Sequence, residues 1–203
     1  MKTHHEGLLL LGGRARRFGS NKMAAEVDGA PLYHRVYQAL GRVCSHINVS
    51  VASHSGELPD PPWMQGSSWG AIEDLIPDQG PLGGIHSAFH ERKSDLLVVA
   101  GDLPNLSKGS LDSILDVGRD SRAAIICARS RLAMQEQPLC GLWKQRVAPQ
   151  LDAYLETGRR SVFGFLDYLE EQGGPEVLWV DVDDSELVNI NRPGDLDLLT
   201  WMS

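Results

Sequence analysis

The sequence predicts an α/β fold, a mainly parallel sheet with helices on both faces. Three observations lead there. Short apolar runs alternate along the chain with segments of helical periodicity, the pattern that gives parallel strands joined by crossover helices. Several of the runs stop on turn residues, as at Leu11-Gly12-Gly13 and Ala100-Gly101-Asp102. The chain has 203 residues, 42% hydrophobic and 23% charged, so it can bury a core without disulfide or metal staples.

Gly7 to Leu11 is a five-residue apolar run ending in a glycine pair. It is too short for a helix and reads as a buried strand. Pro31 can open a helix, for which Leu32, Val36 and Leu40 supply one face. Ile47 to Ala52 reads as the second strand, and Asp95 to Ala100, with four consecutive Leu and Val residues, as the clearest one. Ala123 to Ala128 and Val177 to Val182 are two more. Helical stretches fall near Leu82–Glu91, Ser110–Val117 and Val147–Glu156, and the Pro193-Gly194 turn starts a closing helix over Asp195–Trp201. Pro59, Pro61 and Pro62 make a stiff surface linker rather than a domain boundary. The chain therefore reads as a single domain, residues 1–203.

Charge and cysteine usage narrow the function. Nineteen basic against 27 acidic residues give a net charge of −8, which argues against a dedicated nucleic-acid or anionic-membrane binder. Cys44, Cys127 and Cys140 are far apart and form no CxxC pair, so they read as buried free thiols in a reducing compartment. Met1 to Glu6 lacks the apolar stretch of a signal peptide, and no run reaches the ~18 residues of a membrane span. A cytoplasmic enzyme is the expectation.

Sites in such sheets gather beyond the carboxyl ends of strands. The loop after the first strand holds Gly12, Gly13, Arg14, Arg16, Arg17 and Lys22. Its glycines let backbone N–H groups approach a ligand, and its four cations suit a triphosphate. The spacing matches neither the P-loop nor G-x-G-x-x-G. Asp102, just past the strongest strand, is placed to hold Mg²⁺, which takes one or two carboxylates plus phosphate oxygens; alone it would as readily be a turn or capping aspartate. Glu73-Asp74 precede a Gly80-Pro81 turn into a helix whose N-terminus could face an anion. Asn189 and Asn191 flank an apolar residue, which puts both amides on one side of an extended chain, or leaves them as caps. The seven histidines show no HxH or HExxH spacing, and no G-x-S-x-G elbow is present.

In order along the chain, Leu10–Gly19, Lys22, Gly29-Ala30-Pro31-Leu32, Glu73-Asp74, Gly80–Gly83, Gly101–Pro104 and Asn189–Leu196 resemble the segments of the molybdenum cofactor guanylyltransferases, the MobA-like branch of the nucleotidyltransferases. Gln137-Pro138-Leu139 and Gly158–Val162 resemble family segments too. The resemblance implies a Rossmann-like three-layer α/β/α sandwich of the nucleotide-diphospho-sugar transferase type. It implies transfer of GMP from GTP to the phosphate of molybdenum-molybdopterin, with release of pyrophosphate. Carried over, Leu10, Leu11, Gly12, Gly13, Lys22, Asp74 and Asp102 touch the nucleotide, and Asp102 also holds Mg²⁺. Lys22 and Arg17 neutralise phosphate charge, and Asn189 and Asn191 face the acceptor. The implied partners are GTP, molybdopterin and the apo-molybdoenzymes or chaperones that receive the product.

The sequence departs from the family pattern in places. Asn21 stands where the family has Asp, Leu11 replaces a small residue, and Ser50 or Ser53 occupies the neighbourhood of a base-contacting Asn. The alternatives are a nucleotidyltransferase using CTP or a sugar-phosphate acceptor, and a cofactor-delivery protein without catalysis.

Overall fold

The computed structural model describes residues 5–11, 26–27, 30–51, 68–190 and 195. The chain opens with β1 (Glu6–Leu10), a small hairpin of β2 (Glu26–Val27) and β3 (Ala30–Pro31), helix α1 (Leu32–Gly41) and β4 (His46–Val51). Then come β5 (Trp69–Glu73), α2 (Pro81–Arg92), β6 (Leu96–Ala100), α3 (Lys108–Asp120), β7 (Ile125–Ser130) and β8 (Glu136–Trp143). A 3₁₀ turn leads into α4 (Ala148–Glu156), followed by α5 (Val162–Glu171), β9 (Val177–Val182) and a second 3₁₀ turn over Asp184–Leu187.

Seven strands form one sheet in the order β5-β4-β1-β6-β8-β7-β9. Each pairing within it is parallel except those of β8, which runs antiparallel between β6 and β7. The central strands are buried on both faces, which is why they read as unbroken apolar runs. Their alternate residues divide the core in two. Leu9, Val49, Leu97, Val99 and Ile126 pack against α1 and α3. Leu8, Leu10, Leu96, Val98 and Ile125 pack against α2, α4 and α5. This is the expected three-layer sandwich.

The helices follow from local chemistry. Leu111, Ile114, Leu115 and Gly118 of α3 recur at 3, 4 and 7 residues, one face of a helix, and all four are buried. Ser107 caps its first turn by accepting from the Ser110 N–H at 3.2 Å. Ser161 caps α5 in the same way through the Gly164 N–H. Gly80 precedes α2 at φ +62°, ψ −150°, a conformation that essentially only glycine adopts, and Pro81 then supplies the first helical φ. Cys44, Cys127 and Cys140 are free and buried, as expected. Of the closing helix expected over Asp195–Trp201, only Asp195 falls among the described residues.

Candidate active site

The order of strands locates the site. From β1 the chain steps outward to β4 and β5, then returns through α2 to β6 on the other side of β1. The crevice of an open α/β sheet lies where strand order reverses in this way, beyond the carboxyl ends. Here those are the ends of β4, β1 and β6.

Short contacts knit these ends together. The Leu11 N–H donates to the Ser50 carbonyl at 3.2 Å, and the Gly101 N–H to the Leu10 carbonyl at 3.0 Å. A Cβ on Gly101 would lie 2.8 Å from Leu11 Cδ2, so a larger residue there would have to displace the Leu11 side chain. Ser50 Oγ donates to Asp74 Oδ1 at 3.4 Å, joining the end of β4 to the residue that follows β5. Asp74 is half-buried, and that burial holds its carboxyl above the usual carboxylate range, the Ser50 hydroxyl opposing the shift. The N-terminus of α2 closes in from below. A Cβ on Gly84 would fall 2.3 Å from Ser50 Oγ and 3.0 Å from Leu10 Cδ2. The Leu75 N–H donates to Ser87 Oγ of α2 at 2.8 Å, fixing the Asp74 loop on that helix.

The far end of the chain returns to the same edge. The Ile190 N–H donates to the Asp102 carbonyl at 3.0 Å, and Ile190 packs with Leu32 at the start of α1. Leu10, Leu11, Asp74, Asp102 and Asn189, five residues singled out in the sequence, therefore share one sheet edge. Gly12, Gly13, Arg17, Lys22 and Asn191 lie outside the described residues, as do Asn21 and Ser53. Ser50 is the penultimate residue of β4, with its hydroxyl turned to Asp74.

The Gln137-Pro138-Leu139 segment opens β8, and because β8 is antiparallel it falls at this same edge. Its register against β7 jumps from Cys127↔Gly141 to Ala128↔Gln137, a bulge that accommodates Pro138. The Pro138 carbonyl accepts from Trp143 Nε1 at 3.0 Å and from Cys127 Sγ at 3.2 Å, so it is satisfied within the bulge.

One cluster was not found by sequence reasoning. His86 and His90 of α2 both direct Nε2 at Oδ1 of Asp152 on α4, at 3.2 and 2.9 Å. The signal was the i, i+4 spacing of the two histidines on a helix, which puts them on one face. Burial, and then the neighbouring His90, hold His86 below the ordinary histidine range, while Asp152 pulls the other way. The cluster borders a cavity of about 380 Å³ lined by α2, α4 and the loop after β5, where Leu75 and Ile76 follow Asp74.

No helix among the described residues is long and apolar enough to cross a membrane. A Synechococcus elongatus protein named a probable molybdenum cofactor guanylyltransferase is 29% identical over 197 residues, 95% of this chain and 96% of its own length. A Methanosarcina mazei protein of the same name is 27% identical over 204 residues, covering 97% and 90% of the two chains. The crystal structure of molybdopterin-guanine dinucleotide biosynthesis protein A from Archaeoglobus fulgidus superposes with a TM-score of 0.74 at 20% identity, over 97% of this chain and 100% of that one. Residues 7–172 match the MobA-like NTP transferase domain, and the chain belongs to that family.

Proposed function

We propose that the chain transfers GMP from GTP to the phosphate of molybdenum-bearing molybdopterin and releases pyrophosphate. The observation that carries this reading is the gathering of Leu10, Leu11, Asp74, Asp102 and the Asn189 segment at one carboxyl edge in a chain of this family. The names of the full-length relatives supply the substrates. All 203 residues act in this reading as one nucleotidyltransferase domain, in the cytoplasm, handing product to apo-molybdoenzymes or their chaperones.

The chemistry needs no covalent intermediate. An acceptor phosphate is already ionised near pH 7, so it can attack the α-phosphorus in line without a strong general base. Arg17 and Lys22 neutralise charge on the triphosphate and on the departing pyrophosphate. Leu10, Leu11, Gly12, Gly13 and Asp74 contact the nucleotide in this reading. Asn189 and Asn191 offer amide donors and acceptors to the pterin side without adding charge. Positioning and electrostatics then account for most of the rate.

The donor set at the end of β6 fits Mg²⁺. Asp102 is a partly exposed hard-oxygen ligand that would hold Mg²⁺, an ion that prefers carboxylate and phosphate oxygens. When bound there it supplies Lewis-acid stabilisation of phosphate charge.

The test is incubation of the full chain with GTP, Mg²⁺ and molybdopterin, followed by mass analysis of the pterin. The expected product carries GMP. Asp102→Ala is expected to lower turnover by about 2.7–4 kcal/mol of transition-state stabilisation, 10²–10³-fold. A CMP adduct, formed from CTP alone, would overturn the guanine assignment. Undiminished turnover of Asp102→Ala at limiting Mg²⁺ would overturn the metal role.

A further inference from the structure

Among the described residues, His86, His90 and Asp152 bring three ligand atoms within 4.8 Å of one another. The separations are close to those of a coordination shell. A tetrahedral Zn²⁺ with bonds of about 2.0–2.1 Å spaces its ligand atoms ~3.3 Å apart. The two His–Asp edges are 3.2 and 2.9 Å, within ~0.1–0.4 Å of that spacing, and all three ligand atoms lie within 4.8 Å of one another.

Three further features suit a metal. Both histidines present Nε2 to one oxygen, although a carboxylate has two oxygens on which separate hydrogen bonds could be made. His90 and Asp152 are partly exposed and leave the cluster open to solvent. The adjoining cavity, walled by Leu75, Ile76 and Leu155, leaves room for a further ligand.

We propose that His86, His90 and Asp152 form a binding site for a divalent transition-metal ion, Zn²⁺ foremost, which ties α2 to α4. Two imidazoles and one carboxylate suit Zn²⁺, Co²⁺ or Ni²⁺ rather than Mg²⁺, which prefers oxygen ligands. The site is separate from Asp102 and does not depend on the proposed reaction. It acts on the helix whose N-terminus is packed against Ser50 and Leu10.

The experiment uses the full chain, stripped with chelator and titrated with ZnCl₂ by calorimetry and with CoCl₂ by visible absorption. One equivalent is expected to bind, with Co²⁺ bands of four- or five-coordinate intensity, and Zn²⁺ is expected to raise the melting temperature while MgCl₂ does not. His90→Gln and Asp152→Asn alter partly exposed side chains and leave the apo fold intact, as matching apo melts would show. Each is expected to weaken Zn²⁺ binding tenfold or more, since even the outer-shell partners of metal ligands are worth about 10–100-fold. A His4→Gln/His5→Gln double variant is expected to bind as the unaltered chain does. Unchanged affinity in His90→Gln and Asp152→Asn, or binding abolished by the His4/His5 change, would overturn the proposal; the three groups would then be a hydrogen-bonded cluster only.

Discussion

Gly84→Ala tests the contact that seats α2 against the strand ends. The added methyl would lie 2.3 Å from Ser50 Oγ, 3.0 Å from Ser50 Cβ and 3.0 Å from Leu10 Cδ2. The hydroxyl can swing aside only by leaving Asp74, and the two carbon contacts persist because both residues are buried strand positions. Overpacking of this kind costs about 1–3 kcal/mol, and three close contacts put it in the upper half of that range. Replacing glycine by alanine in a helix returns about 0.8–1 kcal/mol. The net loss expected is therefore about 1–2 kcal/mol. Ser50→Ala removes the closest contact along with one long hydrogen bond, a cost of about 0.5–1 kcal/mol alone. The double variant should accordingly be more stable than the sum of the singles, with a coupling of about 1 kcal/mol. Urea unfolding of all four proteins measures this directly. In parallel, GTP titration should show weaker binding in Gly84→Ala and recovery in the double variant. Additive effects within about 0.3 kcal/mol, or a stabilising Gly84→Ala, would refute the close packing of α2 on β4.

Two further outcomes follow from buried titratable groups. Asp74, held above its ordinary value of 3.8 by burial, binds its proton more tightly in the folded chain than in the unfolded one. Its contribution to stability is thus greatest below pH 3.8 and is lost as pH rises from there through the raised folded value, so the stability of Asp74→Asn relative to the unaltered chain should grow across that window in urea melts; a flat difference would show the carboxyl to be unperturbed. Burial pushes the Cys44 and Cys140 thiols up to about 12 and Cys127 well above its usual value, so a disulfide reagent at pH 8 should find no fast-reacting thiol in the folded protein and all three in urea, and rapid reaction of the native chain would contradict the burial of these side chains.

The sequence made the inner strands legible because burial on both faces turns them into apolar runs. β1, β4 and β6 fall within a residue or so of their expected bounds; β9, an only partly buried edge strand, matches its expected bounds through its run of β-formers Val177, Trp179 and Val180. The edge strand β5 left no such trace: of Trp69–Glu73 only Ile72 is buried, so neither an apolar run nor a clean alternation exists to be read. β8 was hidden for a different reason. Pro138 and Gly141 are breakers in a local reading, yet the first sits in a bulge and the second is demanded by contact. A Cβ on Gly141 would lie 2.4 Å from the Ile126 carbonyl oxygen and from Cys127 Sγ. α5 escaped notice although its cap, Ser161, lies within a segment already singled out, Gly158–Val162. The site was legible where it consists of strand-end residues, such as Asp102. The histidine cluster was not, because Asp152 stands 62 residues from His90 and only the packing of α4 on α2 brings them together.

The placement of the Asn189 segment shows how tertiary anchors finish what local sequence begins. After β9, Leu187 and Ile190 are buried, and polar groups add further ties. Asp183 accepts from the Ser185 N–H at 2.9 Å and sets the turn. Asp184 accepts from the Leu132 and Ala133 N–H groups at the end of β7. Glu186 accepts from the Ser107 N–H at 2.8 Å, and Asn105 donates to the Ser185 carbonyl at 3.2 Å, both within the stretch that joins β6 to α3. The last anchor is the Ile190 N–H on the Asp102 carbonyl. Each tie reaches a loop at the carboxyl edge, so the segment can settle only beside β6. Residue 102 is thereby bound through its backbone to the proposed acceptor side while its carboxylate is assigned to the nucleotide side. A displacement of either side is transmitted to the other through a single peptide unit, which suits a reaction whose rate rests on holding two phosphates in line.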